Sequence, residues 1–275
     1  MSATVLASLP SPPSRSIDIG PLELRAYGLA IAAGVLVAVA IAQRRWQRAG
    51  GDADDIPAVA LWAVPAGVVG ARAWHVLTDW PRFRGRWWDV FALWEGGLGI
   101  PGGILLGTLV GVAVARRRGL AVGRVMDAAA PAIPVAQAIG RLGNWFNQEL
   151  YGRPSELPWA IEIDPDHRPA RHADVETFHP TFLYEALWNL ALAGLLVWAG
   201  RRLRLRAGQL FWLYVAGYAA GRLWVEALRV DPASTILGLR VNIWTSLVAL
   251  GLAAAVLTLR RVPREETTPS TAGGR

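Results

Sequence analysis

Long apolar blocks separated by short clusters of arginine restrict what this chain can fold into. Residues 59–69, 104–115, 187–199 and 241–259 carry few polar side chains. With their flanks, each approaches the ~20 residues that an α-helix needs to cross the hydrocarbon of a bilayer. Helical periodicity is weak within them, as expected for helices that are apolar on most faces. A mean hydropathy of +0.30 agrees.

The basic charge has its own pattern. Arginines cluster at 44, 45 and 48, at 116–118, at 201, 202, 204 and 206, and at 260, 261 and 264. A net charge of +7 admits nucleic acid as a partner. Arginines confined to short connections between apolar blocks instead follow the positive-inside rule of membrane proteins. No nucleic-acid partner is expected. The chain has no cysteine. It therefore has no disulfide, no thiolate metal site and no cysteine nucleophile of its own. No metal or cofactor is expected.

Seven spans account for the chain, near 20–43, 56–78, 93–115, 122–144, 180–200, 208–228 and 239–260. The fold class expected is an all-α polytopic membrane protein. Each basic cluster follows an odd-numbered span. This places the N-terminus outside and the C-terminus in the cytoplasm. Residues 1–16, rich in Pro and Ser, read as a flexible outward segment without the basic and apolar regions of a signal peptide. Residues 17–262 form the membrane domain and 263–275 a disordered cytoplasmic tail. Residues 145–179, between spans four and five, are too long for a turn. Four prolines punctuate them, and 159–163 alternate like a strand. They read as a small outward head.

Ionisable groups at membrane depth are the second constraint. One costs about 3 kcal/mol at the bilayer centre on insertion scales, so its presence points to function. The sequence GRLGNWFNQELYGR at 140–153 holds Arg141, Asn144, Asn147, Glu149 and Arg153 at the end of an apolar run. HPTFLYE at 179–185 opens span five. YAAGRLWVE at 218–226 places Tyr218, Arg222 and Glu226 at i, i+4 and i+8, on one helix face. Tyr27 enters span one. Taken singly, each has a plain explanation: Arg222 and Glu226 pair to ease burial, Arg141 snorkels to the interface, His179 caps a helix, and the tyrosines belong to an interfacial belt. Together, two arginines from different spans with acidic, amide and phenolic partners suit one anionic ligand. Arginine binds phosphate oxygens in bidentate fashion, and a phosphate-bearing ligand resident in the membrane is a phospholipid.

These three motifs, with EGGLGIPGG at 95–103, resemble those of the bacterial prolipoprotein diacylglyceryl transferases, in the same order and from about residue 19 to 259. The resemblance implies an enzyme of the bacterial plasma membrane without a cofactor. Its substrates would be phosphatidylglycerol and a preprolipoprotein bearing a lipobox cysteine. The diacylglyceryl group passes to the cysteine thiol, a thioether forms and glycerol phosphate leaves. By position, Arg141 and Arg222 match the family's key arginines. Tyr27, Asn144, Glu149, Gly152, Tyr218 and Glu226 match further site positions, and the second motif adds His179 and Tyr184. Three positions depart from the pattern. Pro101 stands where many members carry a histidine proposed as the base. Trp145 replaces a phenylalanine, and Gln148 a frequent glycine. The alternative is a transporter of an anionic lipid or solute that uses the same arginines and makes no covalent product.

Overall fold

A computed structural model describes residues 8–19, 22–93, 96–231 and 233–259. The chain is mostly helical. A hairpin, β1 (Ser16–Ile19) and β2 (Leu22–Arg25), pairs Ser16 with Arg25 and leads directly into α1 (Ala26–Arg48). Then come α2 (Asp55–Thr78), the single turn α3 (Trp80–Phe83) and α4 (Ile100–Arg117). Next are α5 (Val122–Ala129) and α6 (Ala132–Phe146). The chain finishes its helical course with α7 (Thr181–Arg202), α8 (Gln209–Leu228) and α9 (Val241–Leu259). Five helices, α1, α2, α4, α7 and α9, are long and apolar enough to cross a membrane. Large apolar side chains cover their outsides: Leu36, Leu61, Val69, Leu105, Leu195 and Val248 are all more than half exposed. An apolar coat this extensive suits lipid, not water.

The first span, expected over 20–43, begins only after strand β2 and runs as α1 over Ala26–Arg48. Two further departures from the expected spans have local causes. The segment expected as one span over 122–144 is two helices, broken at Ala130 and Pro131. Pro131 cannot donate an intrahelical hydrogen bond, and its ring crowds the preceding turn. The segment expected to start at residue 93 becomes helical only at Ile100. Gly96 and Gly97 have φ of 86° and 76°, which no right-handed helix accommodates.

In the packing order, α1 lies on α6, α6 on α7, α7 on α8 and α8 on α9, while α2 packs chiefly on α4. The α2–α4 contact is backbone against backbone. A β-carbon on Gly70 would lie 2.4 Å from the carbonyl oxygen of Gly102, and one on Gly102 2.2 Å from that of Gly70. Small residues permit such close approach where lipid offers no hydrophobic drive between helices. Across the bundle, the Asp127 carboxylate of α5 accepts the N–H groups of Gly208 at 2.7 Å and Phe211 at 3.1 Å, satisfying orphan donors at the start of α8.

Between α6 and α7, β3 (Ile161–Glu162) pairs antiparallel with β4 (Thr177–Phe178) over a small core of Tyr151, Ile161, Ile163 and Phe178. The N-terminal segment, expected to be loose over 1–16, joins this unit from residue 8 onward. Leu9 bridges Ile161 in parallel, and the Trp145 indole N–H donates to the Pro10 carbonyl at 3.2 Å. A phenylalanine at position 145 would have no such donor. Residues 1–7 and the expected tail at 263–275 lie outside the described residues. A last hairpin, β5 (Thr235–Ile236) and β6 (Leu239–Arg240), precedes α9.

Candidate active site

One short strand-like stretch brings the three sequence motifs together. As the chain leaves α6 it turns through Gln148 and Leu150, both with positive φ, and runs out past Tyr151. Gly152 donates its N–H to His179 O at 2.9 Å, and His179 returns its own N–H to Arg153 O at 2.9 Å. Arg153 N–H donates to Leu228 O at 2.9 Å, at the end of α8. No side chain fits at Gly152: an added β-carbon would sit 2.8 Å from His179 Cβ and 3.2 Å from Leu228 O.

Under this junction, Arg141 of α6 and Arg222 of α8 reach one carboxylate, that of Glu185 in α7. Arg222 Nη1 donates to Glu185 Oε1 at 3.0 Å, and Arg141 Nη2 contacts Glu185 Oε2. Arg222 Nη2 also pairs with Glu226 Oε2 at 2.8 Å, one helical turn on. Glu226 is 1% exposed and receives Arg240 Nε at 2.5 Å and Asn242 Nδ2 at 3.2 Å. Arg240 and Arg229 share Asp231, at 2.9 and 2.7 Å. Burial pushes the pKa of Asp231 up, but its bonds to the two guanidiniums outweigh this and hold it below the usual carboxylate value. On the other side, Arg141 Nη1 donates to Asn144 Oδ1 at 3.1 Å, and Asn144 Nδ2 to Glu149 Oε1 at 2.8 Å. Asn147 Nδ2 reaches the same Glu149 oxygen at 3.2 Å. Four guanidiniums, of residues 141, 222, 229 and 240, thus stand among four carboxylates, of 149, 185, 226 and 231. The site carries its own balancing charge.

A cavity of about 1210 Å³ opens beside this network. Tyr27, Leu29, Glu149 and Asp231 line it, as do Gly97 and the head residues 167–169. Tyr27 also packs its ring against Gly143, where a β-carbon would lie 2.4 Å from Tyr27 Cδ2. The arginine pair sits behind this wall. A far smaller recess, lined by Glu185, Trp188, Tyr218 and Arg222, lies between α7 and α8. The Trp188 indole covers it and donates to Gly217 O at 3.0 Å.

The expected site residues therefore divide. Arg141, Asn144, Glu149, Arg222 and Glu226 form one continuous network, with Tyr27 and Tyr218 at its margins. Glu226 was expected to bind substrate. In the structure its carboxylate is buried and held by Arg222, Arg240 and Asn242. His179 and Tyr184 bond to one another at 3.0 Å, and Trp159 donates to Tyr184 at 3.0 Å. This chain of bonds stands at the start of α7. Burial, and then the nearby Arg153 charge, hold the His179 imidazole below the ordinary histidine pKa. Pro101 lies in the first turn of α4, where the N–H it lacks would be unpaired anyway. Sequence reasoning missed Glu185, Arg229, Asp231, Arg240 and Asn242. Glu185 had a signal, as the last residue of the second motif; Arg240 and Asn242 had none nearby. Among the described residues no group of three or more His, Asp or Glu could hold a metal ion.

A family model described as prolipoprotein diacylglyceryl transferase matches residues 15–259. The phosphatidylglycerol–prolipoprotein diacylglyceryl transferase of Streptomyces griseus is 50% identical over 267 residues, 95% of this chain and 81% of that protein. The protein of the same name from Frankia alni is 51% identical over 269 residues, 96% and 71% of the two chains. That of Cutibacterium acnes is 48% identical over 253 residues, 91% and 86%. With a match that runs from β1 to α9 and takes in every element of the arginine network, the chain belongs to the prolipoprotein diacylglyceryl transferase family.

Proposed function

We propose that this chain moves the diacylglyceryl group of phosphatidylglycerol onto the lipobox cysteine thiol of a preprolipoprotein, at the outer face of a bacterial plasma membrane. The observation that carries this reading is the pairing of Arg141 and Arg222 on one carboxylate inside an apolar bundle. A phosphodiester that takes the place of Glu185 would meet two guanidiniums from different helices.

The reaction forms a bond from sulfur to the glyceryl carbon that bears phosphate and breaks the bond from that carbon to oxygen. Negative charge grows on the departing phosphate, and the thiol proton is accounted for in the glycerol phosphate released. Fixed arginines in a site of low dielectric stabilise such charge without reorganising. Losing one such donor costs about 3–4 kcal/mol in rate. The thiolate, not the thiol, attacks, and the same positive charge lowers the thiol pKa. Pro101 cannot accept a proton, and His179 Nδ1 is engaged with the Tyr184 hydroxyl. Arginine activation of the thiol therefore replaces a histidine base.

Glu185 is the exchangeable counter-ion, and Glu226, Arg240 and Asp231 fix Arg222 from behind. Asn144 and Glu149 orient Arg141, and Glu149 faces the cavity. Tyr27 and Tyr218 border the two substrates, Gly152 permits the junction, and His179 with Tyr184 holds the start of α7.

We read the membrane arrangement as seven spans, with α5 and α6 together forming one and α8 another. The last turns of α1, α4 and α7 carry Arg45 and Arg48, Arg116 and Arg117, and Arg201 and Arg202. The site lies where α6 ends and α7 begins, at the other end of the bundle. The head and the N-terminus then lie outside. Transfer is tested with protein in phosphatidylglycerol liposomes and a lipobox peptide: the peptide gains the mass of a diacylglyceryl group. Movement of lipid or solute without that gain would support a transporter.

A further inference from the structure

Gln148 has a backbone φ of 49°, a conformation that favours glycine. Side chains resist that region, and glutamine gains none of the local hydrogen bonds by which asparagine tolerates it. A strained residue persists where its surroundings fix it. Gln148 is 6% exposed, and its amide makes two bonds to a single residue of the head. Its Oε1 accepts the Asp164 backbone N–H at 2.8 Å, and its Nε2 donates to Asp164 Oδ2 at 2.5 Å. Three residues on, the Tyr151 hydroxyl donates to the His167 carbonyl. These two ties flank the turn 164–167. Residues 167–169, at its end, line the large cavity together with residues 147–151, to which these bonds join them.

We propose that Gln148 and Asp164 form a latch that fixes the outward head as a rigid wall of the cavity, and so sets the width at which a peptide substrate is admitted. Gln148 is a positioning residue: it acts through the place of residues 167–169, not on the reacting atoms. The peptide assignment of the cavity rests on the transferase reading; the latch itself does not. In a relative with glycine at this position the backbone would turn without strain and the side-chain tie would be absent. The head would then be held by fewer bonds.

The test uses the full chain in liposomes and two readouts. Gln148→Gly keeps the backbone conformation and removes both bonds. Amide hydrogen exchange over residues 163–168 should accelerate at least tenfold, with α7 unchanged. The KM for a lipobox peptide should rise at least fivefold, with kcat within twofold. Asp164→Ala, which spares the strained position, should shift both readouts in the same direction by less. Gln148→Glu combined with Asp164→Asn keeps the bond from the residue-164 backbone N–H and rebuilds the side-chain bond with donor and acceptor exchanged, and should restore both readouts. Exchange needs no turnover, so it judges the latch even if the transferase reading fails. Wild-type exchange in Gln148→Gly, or no recovery in the exchanged pair, overturns the proposal. So does a fall in kcat at unchanged KM.

Discussion

Arg141 and Arg222 come from helices 81 positions apart in sequence number and meet on the two oxygens of Glu185. The clamp is therefore not an empty pair of cations. A carboxylate already holds the geometry that a phosphodiester would need, and binding is an exchange of one anion for another.

Replacement of Glu185 tests that exchange. Glu185→Gln keeps the shape and removes the competing charge. The inhibition constant of glycerol phosphate should fall roughly tenfold, about 1.4 kcal/mol. An unchanged constant would show that Glu185 does not compete with the ligand. Glu185→Ala leaves two guanidiniums without their shared partner and should destabilise the fold by about 3–5 kcal/mol, read in thermal unfolding.

Arg240 does not line the cavity, yet it holds Glu226, which holds Arg222. Arg240→Met should slow lipidation on the order of tenfold while the protein stays folded. Its effect should be non-additive with Arg222→Lys, as for residues in one network. Additive losses would separate Arg240 from the site.

Gly152 is where three motifs touch. Gly152→Ala places a methyl 2.8 Å from His179 Cβ and 3.1 Å from Thr181 Cγ2. Overpacking of this kind costs about 1–3 kcal/mol. A fall in unfolding temperature together with loss of transfer is expected; a variant of wild-type stability would contradict the packing.

His179 gives the pH dependence. Its folded pKa lies below the ordinary value of 6.5, through burial first and Arg153 second. Between the two values the unfolded chain binds the extra proton, so stability falls as pH drops below about 6.5. Thermal unfolding against pH should show this loss in the wild type and much less of it in His179→Gln. At pH 7.5 the variant should keep appreciable transfer, because no step assigns His179 a proton.

Much of this arrangement is written locally in the chain. Apolar blocks mark helices because a lipid-facing helix has no polar side to disguise it. Tyr218, Arg222 and Glu226 share a face because three or four residues make one turn. The three motifs identify the site because each sets ionisable groups beside apolar runs. What local pattern does not carry is partnership across the bundle. Nothing near Glu185 says that it serves two arginines, and nothing near Arg240 says that it supports α8. The break at Pro131 and the late start of α4 trace to single residues, that proline and Gly96 with Gly97, set inside otherwise apolar runs. Leu9 joins the head by one parallel bridge, too short a pairing to leave a pattern in a Pro- and Ser-rich segment.

The central claim is that two arginines on one carboxylate carry the transfer. The direct measurement is mass spectrometry of a lipobox peptide after incubation with Arg141→Ala and Arg222→Ala proteins in phosphatidylglycerol liposomes, against wild type. Each variant should lose at least about a hundredfold in rate, with only the wild type giving the diacylglyceryl mass gain in the same interval. Turnover at the wild-type rate by either folded variant would contradict the account.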